Sequence, residues 1–410
     1  MRSNINKVYI LASLLVLSSC GGGGGGGAVA QAIAAAITSF TASSSSVLLG
    51  QSVDISWAST NATSCTASGS WTGTKGTSGS ETITISTAGN NTFTISCTGE
   101  GGSSSQSQSI EGYRNIAGIT LDGYISGASV FIDTDSDYIM DSGETSTTSG
   151  SDGSFSIKYE NGVLISLGGQ DVDTLTQLDN FQIIRDLSGH SSDSFMITPV
   201  TSVAHFMPSQ NIYNTLGLDS SIDIYTADPV ANKGDGAGYD LLYEKGNQLT
   251  VLAYSLQNMA NNLKTSTDST ADYFKAISEE INTEHTATSA AVNIEKNAFI
   301  EKVIDNLVTA KSLTISANNK ANAITALSSV LPIIGVKSTD ALTSSVIRFS
   351  TNTFQTDFVS IANGSAEVTL VNSYSSDVLN YIATDQNINA SDIQPTILAF
   401  ADTISLQEDA

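Results

Sequence analysis

The sequence predicts a multidomain chain: an all-β sandwich over 37–110, a small β-sandwich module over 117–195 and a mainly α-helical domain over 196–410. Three observations carry this reading. Apolar and polar residues alternate at period two from Ile37 to about Cys97, the pattern of half-buried strands. Clusters of Gly, Ser, Thr and Asn break that alternation at short spacings, as turns do. After about Met196 the apolar period changes to that of helices. At 410 residues the chain has length for two or three domains.

The N-terminus comes first. Arg2 and Lys7 precede an apolar run from Val8 to Leu17, and small residues follow at Ser18 and Ser19. That order is the order of a secretory signal, here over 1–19. The stretch Leu17-Ser18-Ser19-Cys20 resembles the lipobox of bacterial lipoproteins. The resemblance implies cleavage before Cys20 and a diacylglycerol on its thiol. Gly21, where the aspartate of inner-membrane retention would stand, implies a Gram-negative outer membrane. Two or three acyl chains give a stable attachment that one chain does not. Seven glycines, Gly21 to Gly27, then an alanine-rich stretch make residues 20–36 a tether. Nothing after Leu17 is apolar for long enough to span a bilayer.

Removing Arg2 and Lys7 from the 16 basic residues leaves 14 against 40 acidic ones, a net charge of −26. A surface of that sign repels nucleic acid and favours divalent cations. Of three cysteines, Cys20 goes to lipid, which leaves Cys65 and Cys97 to form one disulfide in an oxidising compartment.

In the first β region Val53, Ile55 and Trp57 share one strand face, Ile83 and Ile85 another, and Phe93, Ile95 and Cys97 a third. The segment Ile55-Ser-Trp57, Asn61 to Gly69 with Cys65, and Phe93-Thr-Ile-Ser-Cys97 resembles the bacterial Ig-like repeats of cell-surface proteins. Trp57 stands where an antibody domain has its first cysteine, so the resemblance implies a bridge between other strands. Residues 99–108, rich in Gly, Ser and Gln, read as a linker.

The second β region holds the densest chemistry. Residues 133–144 read D-T-D-S-D-Y-I-M-D-S-G-E, with Asp133, Asp135, Asp137, Asp141 and Glu144 at positions 1, 3, 5, 9 and 12. This is the ligand spacing of an EF-hand calcium loop, in which the position-7 ligand is a backbone carbonyl, here that of Ile139. Five carboxylates so close repel one another unless a cation lies among them, and oxygen-only ligation favours calcium over zinc or copper. Tyr138 occupies position 6, where EF-hands carry glycine, and β-type sequence flanks the loop. The loop therefore resembles those of dockerins and of surface-protein B-type repeats, with Asp152-Gly153-Ser154-Phe155 as the following strand. Asp171 and Asp173 form a weaker second candidate. The surrounding stretch, with Ile197-Thr-Pro199 and Asp228-Pro229, resembles segments of large calcium-binding adhesins.

In the helical region Leu241, Leu242, Leu249, Leu252, Leu256, Met259 and Leu263 fall at helical spacings. Phe274, Ile277 and Ile281 continue the pattern, followed by Phe299, Ile300, Val303, Ile304 and Leu307. Thr198-Pro199 and Asp228-Pro229 fit helix starts, Asp268 and Ser338 fit N-caps, and Pro332 with Gly335 marks a helix end. Ala366 to Val371 could form a strand.

Catalytic signatures are sparse. His205 sits in an apolar run, His190 in a polar loop, and His285 has no second histidine at zinc-protease spacing. The chain has no G-x-S-x-G elbow and no phosphate-binding glycine loop. Acidic pairs such as Glu279-Glu280 are expected by chance in so acidic a chain, and sugar hydrolysis also calls for aromatic platforms, whereas aromatics are 7% of the residues. The expectation is a non-enzymatic, surface-exposed outer-membrane lipoprotein with a calcium-stiffened β stalk. It would present a helical domain to an extracellular protein or glycan. The competing expectations are a structural envelope component without a ligand, and an enzyme whose site lies in the helical domain.

Overall fold

The computed structural model describes residues 31–172, 177–188, 194–207, 211–264, 269–334 and 354–365. They fall into two units that divide after Gly112.

The described residues of the first unit form eight strands. β1 (Ala36–Ala42), β3 (Ser52–Thr60) and β6 (Ser78–Thr84) form one antiparallel sheet in the order β1-β3-β6. β2 (Ser46–Leu48), β4 (Ser64–Gly69), β5 (Gly73–Lys75), β7 (Gly89–Gly99) and β8 (Gly102–Tyr113) form a second, in the order β2-β8-β7-β4-β5. Alternation decides which residues face inward. Val53, Ile55 and Trp57 on β3 share a core with Phe93, Ile95 and Cys97 on β7, while the residues between them stay at least partly accessible. Trp71, in the turn between β4 and β5, lies edge-on to Trp57 at 5.5 Å and to Phe93 at 6.2 Å. Gly79 pairs with Trp57 across the sheet. A Cβ there would stand 2.9 Å from the indole, so only glycine leaves room for that ring.

Cys65 and Cys97 form a disulfide. They face each other directly across β4 and β7, so the bridge lies within one sheet. Their Cα atoms are 4.0 Å apart, close to the short spacing of a non-hydrogen-bonded antiparallel pair. The linker expected at 99–108 is a strand instead. β7 turns through Glu100-Gly101 into the twelve-residue β8, paired from Gly99↔Gly102 to Asn90↔Glu111 and Gly89↔Gly112. The ladder is made of backbone groups, so a Ser- and Gln-rich sequence can fill it, with Ile110 reaching the core.

The second unit begins at Tyr113. β11 (Ser129–Asp133), β12 (Ser146–Thr148), β14 (Val163–Leu167) and β16 (Gln182–Asp186) form a sheet in the order β12-β11-β14-β16. β9 (Asn115–Thr120) pairs with β13 (Ser154–Lys158) and, in parallel, with β17 (Ser194–Ile197). β10 (Ile125–Ser126) pairs with β15 (Gln170–Asp171). Seven helices follow among the described residues: α1 (Pro199–His205), α2 (Ile212–Leu216), α3 (Ala237–Leu263), α4 (Ala271–Thr288), α5 (Asn297–Ala310), α6 (Ala317–Ile334) and α7 (Gln355–Asn363).

The helical spacings fall on α3, α4 and α5, and on α5 Phe299, Ile300, Val303, Ile304 and Leu307 are all buried. Thr198 caps α1 through a reciprocal box with Thr201. Asp228-Pro229 opens a single turn and not a helix: Asp228 Oδ1 accepts from the backbone N–H of Val230 and Ala231 as an N-cap would, and Asn232 N–H bonds the Asp228 carbonyl, but the next helix begins only at Ala237. Pro332 lies inside the last turn of α6. Asp268, Ser338, Gly335 and 366–371 lie outside the described residues.

One apolar core runs through this unit from Ile116 to Ala362, joining Leu164, Phe181 and Ile183 of the sheets to Val203, Leu252 and Phe274 of the helices. The four-stranded sheet is covered on both faces, which explains its nearly continuous apolar runs. Phe131, Ile165 and Ile184 on its second face pack with Ala271, Phe206 and Tyr138. Tyr138 belongs to the acidic loop.

Candidate functional site

The acidic segment joins β11 to β12, whose register pairs Phe131 with Ser146. It is a connection between strands, without helical flanks. Asp133, the last residue of β11, is fully buried. Its Oδ1 accepts from the N–H of Asp135 (3.2 Å) and Ser136 (2.7 Å), and its Oδ2 from that of Tyr138 (2.9 Å). One carboxylate thus folds the chain around itself. Farther on, Asp137 Oδ1 accepts from Ile139 N–H. Glu144 closes the loop, its Oε1 accepting from Thr134 N–H at 2.8 Å and its Oε2 from Asp141 N–H at 3.0 Å.

This winding requires left-handed backbone at Ser136 (φ 67°) and Tyr138 (φ 62°). Position 6 therefore has the turn for which EF-hands use glycine, with tyrosine in its place. A left-handed non-glycine residue costs about 1–2 kcal/mol, so the side chain must earn its position. The Tyr138 ring packs against His205 and Phe206 at 5.9 and 5.7 Å. Its hydroxyl is 3.1 Å from His205 Nε2, and its carbonyl accepts from Gln182 Nε2 at 2.7 Å.

Oxygens of Asp133, Asp135 and Asp137 all lie within 4.8 Å of one another. A hard cation holds carboxylate oxygens at about 2.3–2.6 Å, so two ligands of one ion stand no more than about 5 Å apart. These three residues meet that condition. Asp141 and Glu144 lie outside the group, and Glu144 is occupied with backbone amides. The Ile139 side chain is exposed. The Asp135 carboxyl is raised above the usual carboxylate range, first by desolvation and then by the charges of Asp137, Asp133 and Asp141. Cation binding would relieve that repulsion.

No protein-family model and no curated protein matches this chain.

The remaining sequence candidates are scattered. His205 ends α1, half-buried, and burial pushes its pKa down. His285 lies near the end of α4, its Nδ1 2.7 Å from the carbonyl of Ala290. Asp171 is buried on β15. Cys20, Asp173 and His190 lie outside the described residues. No helix among the described residues is long and apolar enough to cross a membrane. The acidic spacing alone does not show that Tyr138 and Gln182 fasten the loop; the tyrosine at a glycine position was the available signal. Asp122 is also buried, and it has only a D-G turn dipeptide to mark it.

Proposed function

We propose that this chain is a lipid-anchored surface protein of a Gram-negative bacterium that binds an extracellular protein or glycan, with calcium rigidifying the β-rich part that carries its helices. The observation that carries the reading is the convergence of Asp133, Asp135 and Asp137 on a strand-to-strand loop whose acids follow calcium-loop spacing. An oxygen-only donor set suits calcium. The affinity expected of an extracellular module is roughly 10⁻⁴–10⁻³ M. Such a site stays loaded outside the cell and acts as a structural part, not a sensor.

Two further points support the architecture. The first unit, with two antiparallel sheets around Trp57 and an in-sheet disulfide, is consistent with an Ig-like repeat adapted to an oxidising compartment. The lipobox at Leu17 to Cys20 supplies the anchor. Cells expressing the protein test this reading. The native chain should stay with the outer membrane, be shaved from intact cells by protease, and support calcium-dependent attachment to protein- or glycan-coated surfaces. Cys20→Ser should release it and abolish attachment. Retention of the Cys20→Ser chain, or attachment indifferent to chelator, would count against the proposal.

A further inference from the structure

A cleft in the second unit lies apart from the acidic loop. It is walled by Val200, Ile224 and Leu242, with Asp122, Thr198 and Asn247 as its polar groups. Its enclosed part has room for about one or two water molecules, and the rest of the space opens to solvent. Gly246 lines it from the middle of α3. Glycine inside a helix lowers stability, and the usual excuse, a crowding neighbour, is missing: a Cβ there would meet no atom within 4 Å. The glycine keeps the cleft open.

The polar end is Asp122, about nine-tenths buried. Its Oδ1 accepts from Thr250 Oγ1 at 2.6 Å, and α3 supplies that hydroxyl. Asp171 lies on the other side of Gly123, where its carboxylate would clash with any Cβ on that glycine. Burial, reinforced by the Asp171 charge and opposed by the Thr250 hydrogen bond, raises the Asp122 pKa well above the usual carboxylate range. A carboxyl kept neutral is a hydrogen-bond donor. Pockets with apolar walls and a few convergent polar groups are the usual form of small-ligand sites.

We propose that this cleft binds a short, uncharged aliphatic molecule bearing one hydroxyl or carbonyl oxygen, to which Asp122 donates a hydrogen bond. The apolar walls of Val200, Ile224 and Leu242 take the chain, and the Asp122 carboxyl carries the proton. The proposal is independent of the acidic loop.

Saturation-transfer NMR on the full-length protein, with n-butanol as the probe, tests it. Native protein should give a saturable signal, and n-butylamine should bind at least tenfold more weakly. Gly246→Leu fills the space and should abolish the signal; Gly246→Ala, a milder change that favours the helix, should weaken it several-fold with an unchanged or higher melting temperature. Asp122→Asn keeps a donor and should stay within a few-fold of native, while Asp122→Ala should lose about tenfold. The proposal is overturned by absence of saturable butanol binding, by undiminished binding in a folded Gly246 variant, or by butylamine binding as tightly as butanol.

Discussion

Replacing Tyr138 with glycine sets backbone strain against docking, and the structure says which wins. Glycine relieves the left-handed backbone at φ 62°, a gain of about 1 kcal/mol after its own entropy cost. Against that stands a half-buried ring on His205 and Phe206. A tyrosine buries about 150–250 Å² when enclosed, so half of it at about 25 cal/mol per Å² is worth roughly 2–3 kcal/mol. The hydroxyl contact to His205 adds about 1 kcal/mol. The net expectation is a loss of roughly 2–3 kcal/mol. Tyr138→Phe keeps both ring and strain and should lose about 1 kcal/mol.

Two probes isolate the effect. Both tryptophans, Trp57 and Trp71, belong to the first unit, and every described helix belongs to the second. Denaturant unfolding in chelator, followed by helical circular dichroism, should therefore show the shift. Tryptophan fluorescence should move less. A Tyr138→Gly protein as stable as native by circular dichroism would refute the view that docking outweighs strain.

Three further outcomes follow from the same geometry. Asp133→Ala should destabilise the second unit by about 2–3 kcal/mol with or without calcium, because three amides lose their acceptor; Asp135→Ala should lower the melting temperature in calcium alone, and equal effects of the two in chelator would contradict the division of roles. Replacing both Cys65 and Cys97 with serine opens a link with a sequence separation of 32, worth roughly 3–4 kcal/mol by loop entropy, and should move the tryptophan transition; native protein should show no free thiol at either position. Because the Asp122 pKa is raised, the folded state holds a proton that the unfolded chain has already lost above the ordinary carboxylate pKa, so this group's contribution is full at low pH and falls as pH rises toward the folded value, by about 1.4 kcal/mol per pH unit. Asp122→Asn should flatten that decline in melts recorded across pH, with Asp171 as the carboxylate that faces it; an unchanged slope would argue against a neutral Asp122.

Local pattern carried the first unit far. Val53, Ile55 and Trp57 announce a half-buried strand because period two is a property of the strand itself, and α3 is legible in its leucines for the corresponding reason at 3.6. β8 was hidden because its stability lies in backbone pairing with β7, which leaves no mark on Ser and Gln side chains. In the acidic loop the close spacing of carboxylates was readable, but the use of Asp133 and Glu144 as backbone acceptors was not, since acids at the same positions read alike whatever they bond. Long-range burial was the least legible. Arg185 reads as a surface charge, yet it is fully buried between Phe195 and Tyr225, each 4.5 Å away, and donates to the Tyr225 carbonyl at 2.6 Å. Burial lowers its pKa to about 10. Its aromatic partners stand 10 and 40 residues along the chain, and no local pattern connects them.

The central claim is that the acidic loop is a calcium site that stiffens the unit around it. Calorimetric titration of calcium into chelator-stripped protein, with a melting curve at each end, addresses it most directly. The account predicts one saturable site with a dissociation constant of roughly 10⁻⁴–10⁻³ M and a higher melting temperature for the helical transition. No heat and no change in melting at about ten times that concentration would reduce Asp133, Asp135 and Asp137 to a solvated acidic turn.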